Sequence, residues 1–528
     1  MTTLLLGGRI YTPSHPDATA LAVRDGVVAW LGSDAVGRAQ FPDAQIVDLD
    51  GAFVAPAFVD SHVHLTATGL RLAGLDLGPA TSPQHCLQLI AAHVGAHPGQ
   101  PVWGHGWDDT DWPRPLTTAE LDGVVGTVAA YLARVDVHSA AASSALRGRV
   151  PGLAAVAGFD PQLPLSADAH HLVRAEARRL LTWRQQDDAR RTALDAVAAA
   201  GIVAVHECAG PDIGGAQDWQ ELRDLHHGVE VVGYWGEAVS SAAQARELVE
   251  ATGVRGLAGD LFVDGAIGSR TAWLCEPYAD AAERTGTEYL DAATIFGHLA
   301  ACTEAGISAG FHVIGDGAVA AVVDALEGIV ERFGAPAVAR CGHRLEHLEM
   351  VSAQQAAKLG RWGILASMQP SFDALWGGED GMYARRLGAQ RAGRLNPFAL
   401  LASAGVPLAF GSDTPVTSID PWSWVRAASH HHTPGSAISA RAAFAAATRG
   451  AWRAGGVRDG VTGTLVPGAP ASYAVWETGV FDVSTPADTV QRWSTDPRSR
   501  VPALPRLEPG EPLPRCRQTV HRGVVIHG

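Results

Sequence analysis

Lysine is almost absent from this 528-residue chain: Lys358 is the only one among 40 basic residues, and no run of Lys or Arg occurs anywhere. Against 55 Asp and Glu the net charge is −15. A nucleic-acid binder needs a basic face to displace counterions, so nucleic acid is excluded as a partner. Cysteine is scarce too. Cys86, Cys208, Cys275, Cys302, Cys341 and Cys516 are scattered without a C-x-x-C pair, which argues against a disulfide framework and against a Cys-rich zinc site, and they read as reduced core thiols. No stretch of 18 apolar residues occurs, and Met1 to Gly8 lacks a basic n-region, so no membrane partner and a soluble, cytoplasmic protein are expected. No G-x-G-x-x-G follows a strand, which lowers a dinucleotide-binding reading. With 47% apolar and 18% charged residues the chain is not of disordered composition, and at about 150 residues per domain it has room for about three structural units.

Both ends of the chain read as β. Ala20 to Val23, Asp25-Gly26 and Val27 to Gly32 form a hairpin pattern, because Asp-Gly accepts the positive φ of a two-residue turn. A similar pattern surrounds Arg522-Gly523, and the Pro-rich connection from Pro502 to Pro514 is expected to run extended over the surface. Neither end is long enough to bury a core alone, so residues 1–54 and 456–528 are predicted to share one composite β-sandwich domain. Residues 55–455 instead repeat a unit of helix, Gly, short apolar strand and polar strand end. Ile202 to Val205 leads to His206, Ile307 to Phe311 to His312, Ile364 to Met368 to Gln369, and Val406 to Phe410 toward Asp413. Helical stretches separate the strands, one apolar at Val322, Leu326, Ile329 and Phe333, another opening with the capping box Ser352-x-x-Gln355. Alternating β and α with polar strand ends predicts an α/β fold, a parallel (β/α)8 TIM barrel.

The residues that carry chemistry sit at those ends. In Phe58-Val59-Asp60-Ser61-His62-Val63-His64 the two histidines at i and i+2 point to one side of an extended chain and can share a metal. His312, His347 and Asp413 lie at later strand ends, and a barrel opens all its strand ends on one rim.

The segments H-V-H, V-D-G-A-I-G-S-R-T-A, H-V-I-G-D, L-E-H and G-S-D-T-P-V, in this order, resemble the amidohydrolase superfamily, family 3, its YtcJ-like branch. The resemblance implies that His62 and His64 hold one metal, that His312 and His347 are further ligands, and that Asp413 touches the metal and the attacking water. It also implies hydrolysis of amide-type C–N bonds, N-formyl and N-acyl groups included. One departure stands out. Many relatives carry a carbamylated Lys four residues before the Asp of the D-G-x-x-G-S-R segment, and here that position is Asp260. Either Asp260 or Glu207 bridges as a carboxylate, or the site is mononuclear. The expected cofactor is one firmly bound zinc, with a second metal as the weaker alternative.

These readings converge on a metal-dependent hydrolase of a non-peptide amide, acting on a small-molecule substrate, with a homodimer as the commonest arrangement for such an enzyme. A divalent cation lowers the pKa of its water from about 15.7 to about 7, and Asp413 is the expected general base. A mononuclear deaminase of a heterocyclic amine is the nearest competitor, lowered because Gly315 stands where such enzymes carry Glu, three residues after His312. A barrel that has lost catalysis and serves as a binding module is the third reading. For substrate binding the candidates are His105, His138, Arg270 and Trp107, the last with Trp103 and Trp112. Arg270 has a structural pairing with Asp264 or Asp316 as its alternative. Asp316, Glu346 and Asp373 are candidates to orient metal-bound rings, and His430-His431-His432 reads as solvated or as part of a substrate loop.

Overall fold

The computed structural model describes residues 1–482 and 503–528. Eight parallel strands form its centre: β1 (Phe58–Val63), β2 (Ile202–Ala209), β3 (Glu230–Trp235), β4 (Gly256–Leu257), β5 (Ser308–Val313), β6 (Arg344–His347), β7 (Leu365–Met368) and β8 (Leu408–Phe410). They lie side by side in chain order. A parallel bridge from Val63 to Thr414 carries the segment after β8 back to β1. This is the predicted barrel. β1, β2, β5, β6 and β7 are buried along their whole length, which is why they read as unbroken apolar runs rather than alternating ones. The helix Asp316–Phe333 buries Val322, Leu326 and Ile329, and Ser352 and Gln355 close the expected capping box on the helix Ala353–Trp362. Gly306, at φ 72°, ends the helix before β5 in the left-handed conformation.

The chain ends meet in two sheets. Thr2–Leu6, Ala20–Arg24, Val27–Gly32 and Gln45–Asp48 form one; Arg9–Ile10, Phe53–Pro56, Tyr473–Glu477, Arg515–His521 and Val524–His527 form the other. Leu5, Leu21, Val28 and Leu31 pack against Val54, Tyr473, Val475 and Val520 in a shared core, so each terminus supplies a face that the other covers. Both hairpin turns form, with Asp25 and Gly26 at φ 51° and 76° and Arg522 and Gly523 at 49° and 80°. Pro502 lies outside the described residues. The remainder of that connection does not simply run over the surface: Leu504–Pro505 pairs with Phe481–Asp482, and Leu504 and Leu507 are buried.

One large feature was absent from the sequence reading. Between β1 and β2 the strands Leu75–Asp76, Val102–Trp107, Ala130–Arg134, Ser139–Ala142 and Leu165–Ser166 build a separate five-stranded sheet. Its own apolar cores involve Leu77, Ile90, Trp107 and Leu132, and Tyr131, Leu146, Leu165 and Val173. In sequence these strands and their helices mimic further β/α units. In space they roof the mouth of the barrel, because residues of this sheet and of the helix Ala167–Arg179 share one cavity with residues at the strand ends.

Candidate metal centre

β1 delivers His62 and His64, and the segment after β8 delivers Asp413. Their relative position is set by backbone pairing: Asp413 N–H donates to the His62 carbonyl at 2.9 Å and His64 N–H to the Thr414 carbonyl at 2.9 Å. The fully buried Asp60 carboxylate locks the same joint by accepting from Ser412 N–H at 2.9 Å and Ser412 Oγ at 2.5 Å. Burial pushes the Asp60 pKa up to about 7 despite these bonds. Asp413 at φ 54° and His347 at φ 69° both take the left-handed conformation, a local strain that clusters at functional sites.

Four side chains converge. His62 Nε2 lies 3.3 Å from Asp260 Oδ1 and 3.4 Å from Asp413 Oδ1; His64 Nε2 lies 3.2 Å from Asp260 Oδ2 and 3.3 Å from Asp413 Oδ1. Ligands about 2.0–2.1 Å from a central zinc stand roughly 3.3 Å apart at the corners of a tetrahedron. The observed separations match that edge. His347 brings a further nitrogen within 4.8 Å of His62 and Asp260. His312 stands beside His347, their ring centroids 4.4 Å apart, but joins neither of these groups.

The donor chemistry agrees. His62 Nδ1–H donates to Glu346 Oε2 at 2.9 Å, and His347 Nδ1–H to Gln369 Oε1 at 2.8 Å, so each ring turns its Nε2 lone pair inward. His62 Nε2 and Asp260 Oδ1 are buried and without a hydrogen-bond partner. A lone pair aimed at carboxylates calls for a cation between them. The titration behaviour of the metal-free cluster expresses the same need. Burial opposes protonation of His62, yet the carboxylates of Asp260 and Asp413 counter it and the pKa is held well above the usual imidazole range. His64 is likewise raised to about 9 against burial, chiefly by Asp260. Asp260 is held well below the usual carboxylate range, its burial outweighed by His64 and His62.

Glu346 is itself pinned. Arg344, fully buried, donates from Nε to Oε1 at 2.5 Å and from Nη2 to Oε2 at 2.9 Å. Burial would raise the Glu346 pKa, but Arg344 first and His62 second keep it well below the usual carboxylate range. The Cys208 thiol, close to His62 and Glu346, is pushed up to about 12 by burial and stays protonated.

The other candidates divide. His105 and His138 line the cavity; burial lowers them to about 3 and about 4, so both are neutral at pH 7. Neither ring nitrogen of His105 has a partner. Arg270 does not reach the cavity and pairs with Asp280, rather than Asp264 or Asp316, at 3.0 and 2.7 Å. Asp264 instead accepts the backbone N–H groups of Trp273, Ile314 and Gly315. Trp107 is a core residue, its Nε1–H on the Leu132 carbonyl at 2.8 Å; of the three tryptophans only Trp103 lines the cavity. Glu207 accepts from Leu65 N–H at 2.8 Å and stands apart from the cluster, leaving Asp260 as the carboxylate that spans it. Asp316 receives Cys275 N–H. Asp373 faces His431 and His432, and His431 is buried, not solvated. Gln369 carried the signal of a polar strand end but was given no role, whereas Arg344, Tyr131, Phe262 and the pair Arg174 and Arg178 went unread, since nothing in their local sequence distinguishes them from core or surface positions.

A family model described as the amidohydrolase family matches residues 45–527. The chain belongs to the amidohydrolase family. Protein LONG AFTER FAR-RED 3 of Arabidopsis thaliana is 28% identical, covering 91% of this chain and 88% of the relative. YtcJ of Bacillus subtilis is 28% identical over 80% of this chain and 82% of its own. An N-substituted formamide deformylase of Arthrobacter pascens is 24% identical over 76% and 78%. Among solved structures, a metal-dependent hydrolase from Pyrococcus furiosus superposes with a TM-score of 0.69 at 26% identity, covering 90% of this chain and 98% of that one. This amidohydrolase therefore belongs with the metal-dependent hydrolases of the barrel type, and His62, His64 and Asp413 at its rim form a group that could hold an ion. Among the described residues no helix is long and apolar enough to cross a membrane.

Proposed function

We propose that the protein hydrolyses the C–N bond of a non-peptide amide, an N-acyl or N-formyl group, with zinc held by His62, His64, Asp260 and Asp413 and with His347 and His312 beside it. The observation that carries the reading is the set of 3.2–3.4 Å separations among imidazole nitrogens and carboxylate oxygens, which opens directly on the cavity. The bond type draws support from the deformylase relative. All donors are nitrogen or oxygen, a set that suits zinc but also admits Mn, Fe or Co.

A divalent ion bound there polarises the scissile carbonyl and brings the pKa of water toward about 7. Asp413 faces both the cluster and the cavity, and takes the proton of the attacking water. Oxygen bonds to the acyl carbon, the C–N bond breaks, and Asp413 returns the proton to the leaving amine. His105 and His138, neutral at pH 7, offer hydrogen bonds to the amide within the cavity. Glu346 and Gln369 keep the His62 and His347 rings from turning. Trp103 and Phe262 narrow the approach and limit bulk water.

The test is Asp413→Asn with a panel of N-formyl and N-acyl amides. Zinc content near one per chain with turnover lost by about a hundredfold or more is expected; a fully active variant refutes the base role, and a wild-type protein that purifies without metal and cleaves no amide after zinc loading refutes the whole reading.

A further inference from the structure

The cavity that begins at the metal cluster has a second polar end. Arg174 and Arg178 lie one helical turn apart on the helix Ala167–Arg179, and both line the cavity together with His64, Asp260 and Asp413. Between the two ends the walls are Trp103, Tyr131, Ile213 and Phe262.

Neither guanidinium group makes an ion pair at contact distance among the described residues, although Asp218 and Glu207 act on Arg178 from farther away. Arg174 is 7% exposed; its Nη2 donates to the Asp212 carbonyl at 2.6 Å and to His171 Nδ1 at 3.0 Å. Arg178 donates from Nη1 to the Ile213 carbonyl. Among the described residues neither has a carboxylate at ion-pair distance, unlike Arg134, Arg190 and Arg344, each of which holds at least one. The Nε–H of each is buried with no acceptor at all. Of the other acids in the cavity wall, Asp136 is already engaged by Arg134 at 2.9 Å and Ser269 at 2.7 Å, and Asp260 and Asp413 belong to the metal cluster. A buried Arg174 and a part-buried Arg178, each with an idle donor, cost stability, and a fork of N–H groups matches a carboxylate in shape and charge.

We infer that the substrate carries a carboxylate at the end remote from the scissile amide, bound by Arg174 and Arg178, with an apolar body lying between Trp103 and Phe262. The substrate class is thus an N-acyl or N-formyl amino carboxylate. This rests on the hydrolase reading above for its chemistry, but not for its binding.

Two arms test it separately. In the first, calorimetry with the zinc-loaded protein compares 3-phenylpropionate with its neutral amide. The acid is expected to bind at least about tenfold tighter, and Arg174→Gln and Arg178→Gln are each expected to abolish the preference with zinc content unchanged. An amide that binds as well as the acid overturns the inference. So does an acid preference that survives both substitutions, since it puts the carboxylate on the metal. Should the Gln variants fail to fold, Arg174→Lys and Arg178→Lys keep the charge and lose the fork, and unchanged acid affinity in both is equally fatal. In the second arm, 4-(formamidomethyl)benzoate, whose ring separates the formamide from the carboxylate, is compared with N-formylbenzylamine, which lacks only the carboxylate. The acid is expected to show the higher kcat/KM by about tenfold or more, with the gap closing in the Arg variants through KM. Equal rates for the two overturn the inference. Cleavage of neither strikes the hydrolase reading, while the calorimetric arm still decides this one.

Discussion

Glu346 never enters the set of proposed ligands, yet the geometry makes it the residue on which metal affinity and fold stability both turn. It accepts His62 Nδ1–H at 2.9 Å and two bonds from the fully buried Arg344. Replacing it by Gln keeps the shape and removes the charge. Arg344 then keeps the Gln amide oxygen, the Ser61 carbonyl, Ser367 Oγ, His206 Nδ1 and the face of Tyr234, all neutral, so a buried cation loses its charged partner, at a cost of up to about 3–5 kcal/mol. The His62 ring loses a charged acceptor, which in metal sites weakens binding by about 10–100-fold. The two effects are read separately. Denaturant unfolding of the metal-free protein reports the first, and zinc competition against a chelator reports the second. Glu327→Gln is the control, because its pair with Lys358 is half exposed and worth at most about 1 kcal/mol. Glu346→Gln that binds zinc as the parent does and unfolds at the same denaturant concentration refutes the reasoning that the rim is held from beneath.

Acid should loosen the barrel wall through two histidines remote from the ion. His298 accepts Val239 N–H on Nδ1 and donates from Nε2 to the Leu257 carbonyl, His343 accepts Ala309 N–H, and burial lowers them to about 4 and about 3. The folded state therefore binds fewer protons than the unfolded one below pH 6.5: this contribution is full above that pH and falls toward pH 4, by about 2 kcal/mol per histidine at pH 5, and a fall in melting temperature from pH 7 to 5 that is clearly smaller in the double Gln variant than in the parent is the expected signature, the other buried histidines keeping the remainder. Arg270→Ala should leave kcat/KM unchanged on any substrate the parent cleaves, since its partner Asp280 lies away from the cavity; a large rise in KM contradicts this. Two glycines should separate strain from collision. Gly306→Ala adds a Cβ to open space at φ 72° and is expected to cost about 1–2 kcal/mol, whereas a Cβ on Gly69 would fall 1.8 Å from the Ala189 carbonyl oxygen, and failure of that variant to fold in soluble form is the expected result.

Local chemistry was enough to read the barrel and the sandwich. Apolar runs that end in Gly and polar residues are the imprint of strands buried on both faces, and Asp25-Gly26 or Ser352-x-x-Gln355 act within a few residues of themselves. His62, His64, His347 and Asp413, named from motif order, come together at the rim, while His312, named with them, stands beside His347 but joins none of the ligand groups. Other features depend on who meets whom. The inserted sheet of residues 75–166 alternates strands and helices just as the barrel does, and only long-range pairing separates it. Arg270 and Trp107 looked exposed to ligand in one dimension, but one found Asp280 and the other the Leu132 carbonyl. Arg174 and Arg178 have the i, i+4 spacing of any solvated helix face. Their place in the cavity wall without a contact ion pair, on which the proposed carboxylate site rests, is a property of the surroundings, set when the insert closes over the barrel mouth and brings segments far apart in sequence together.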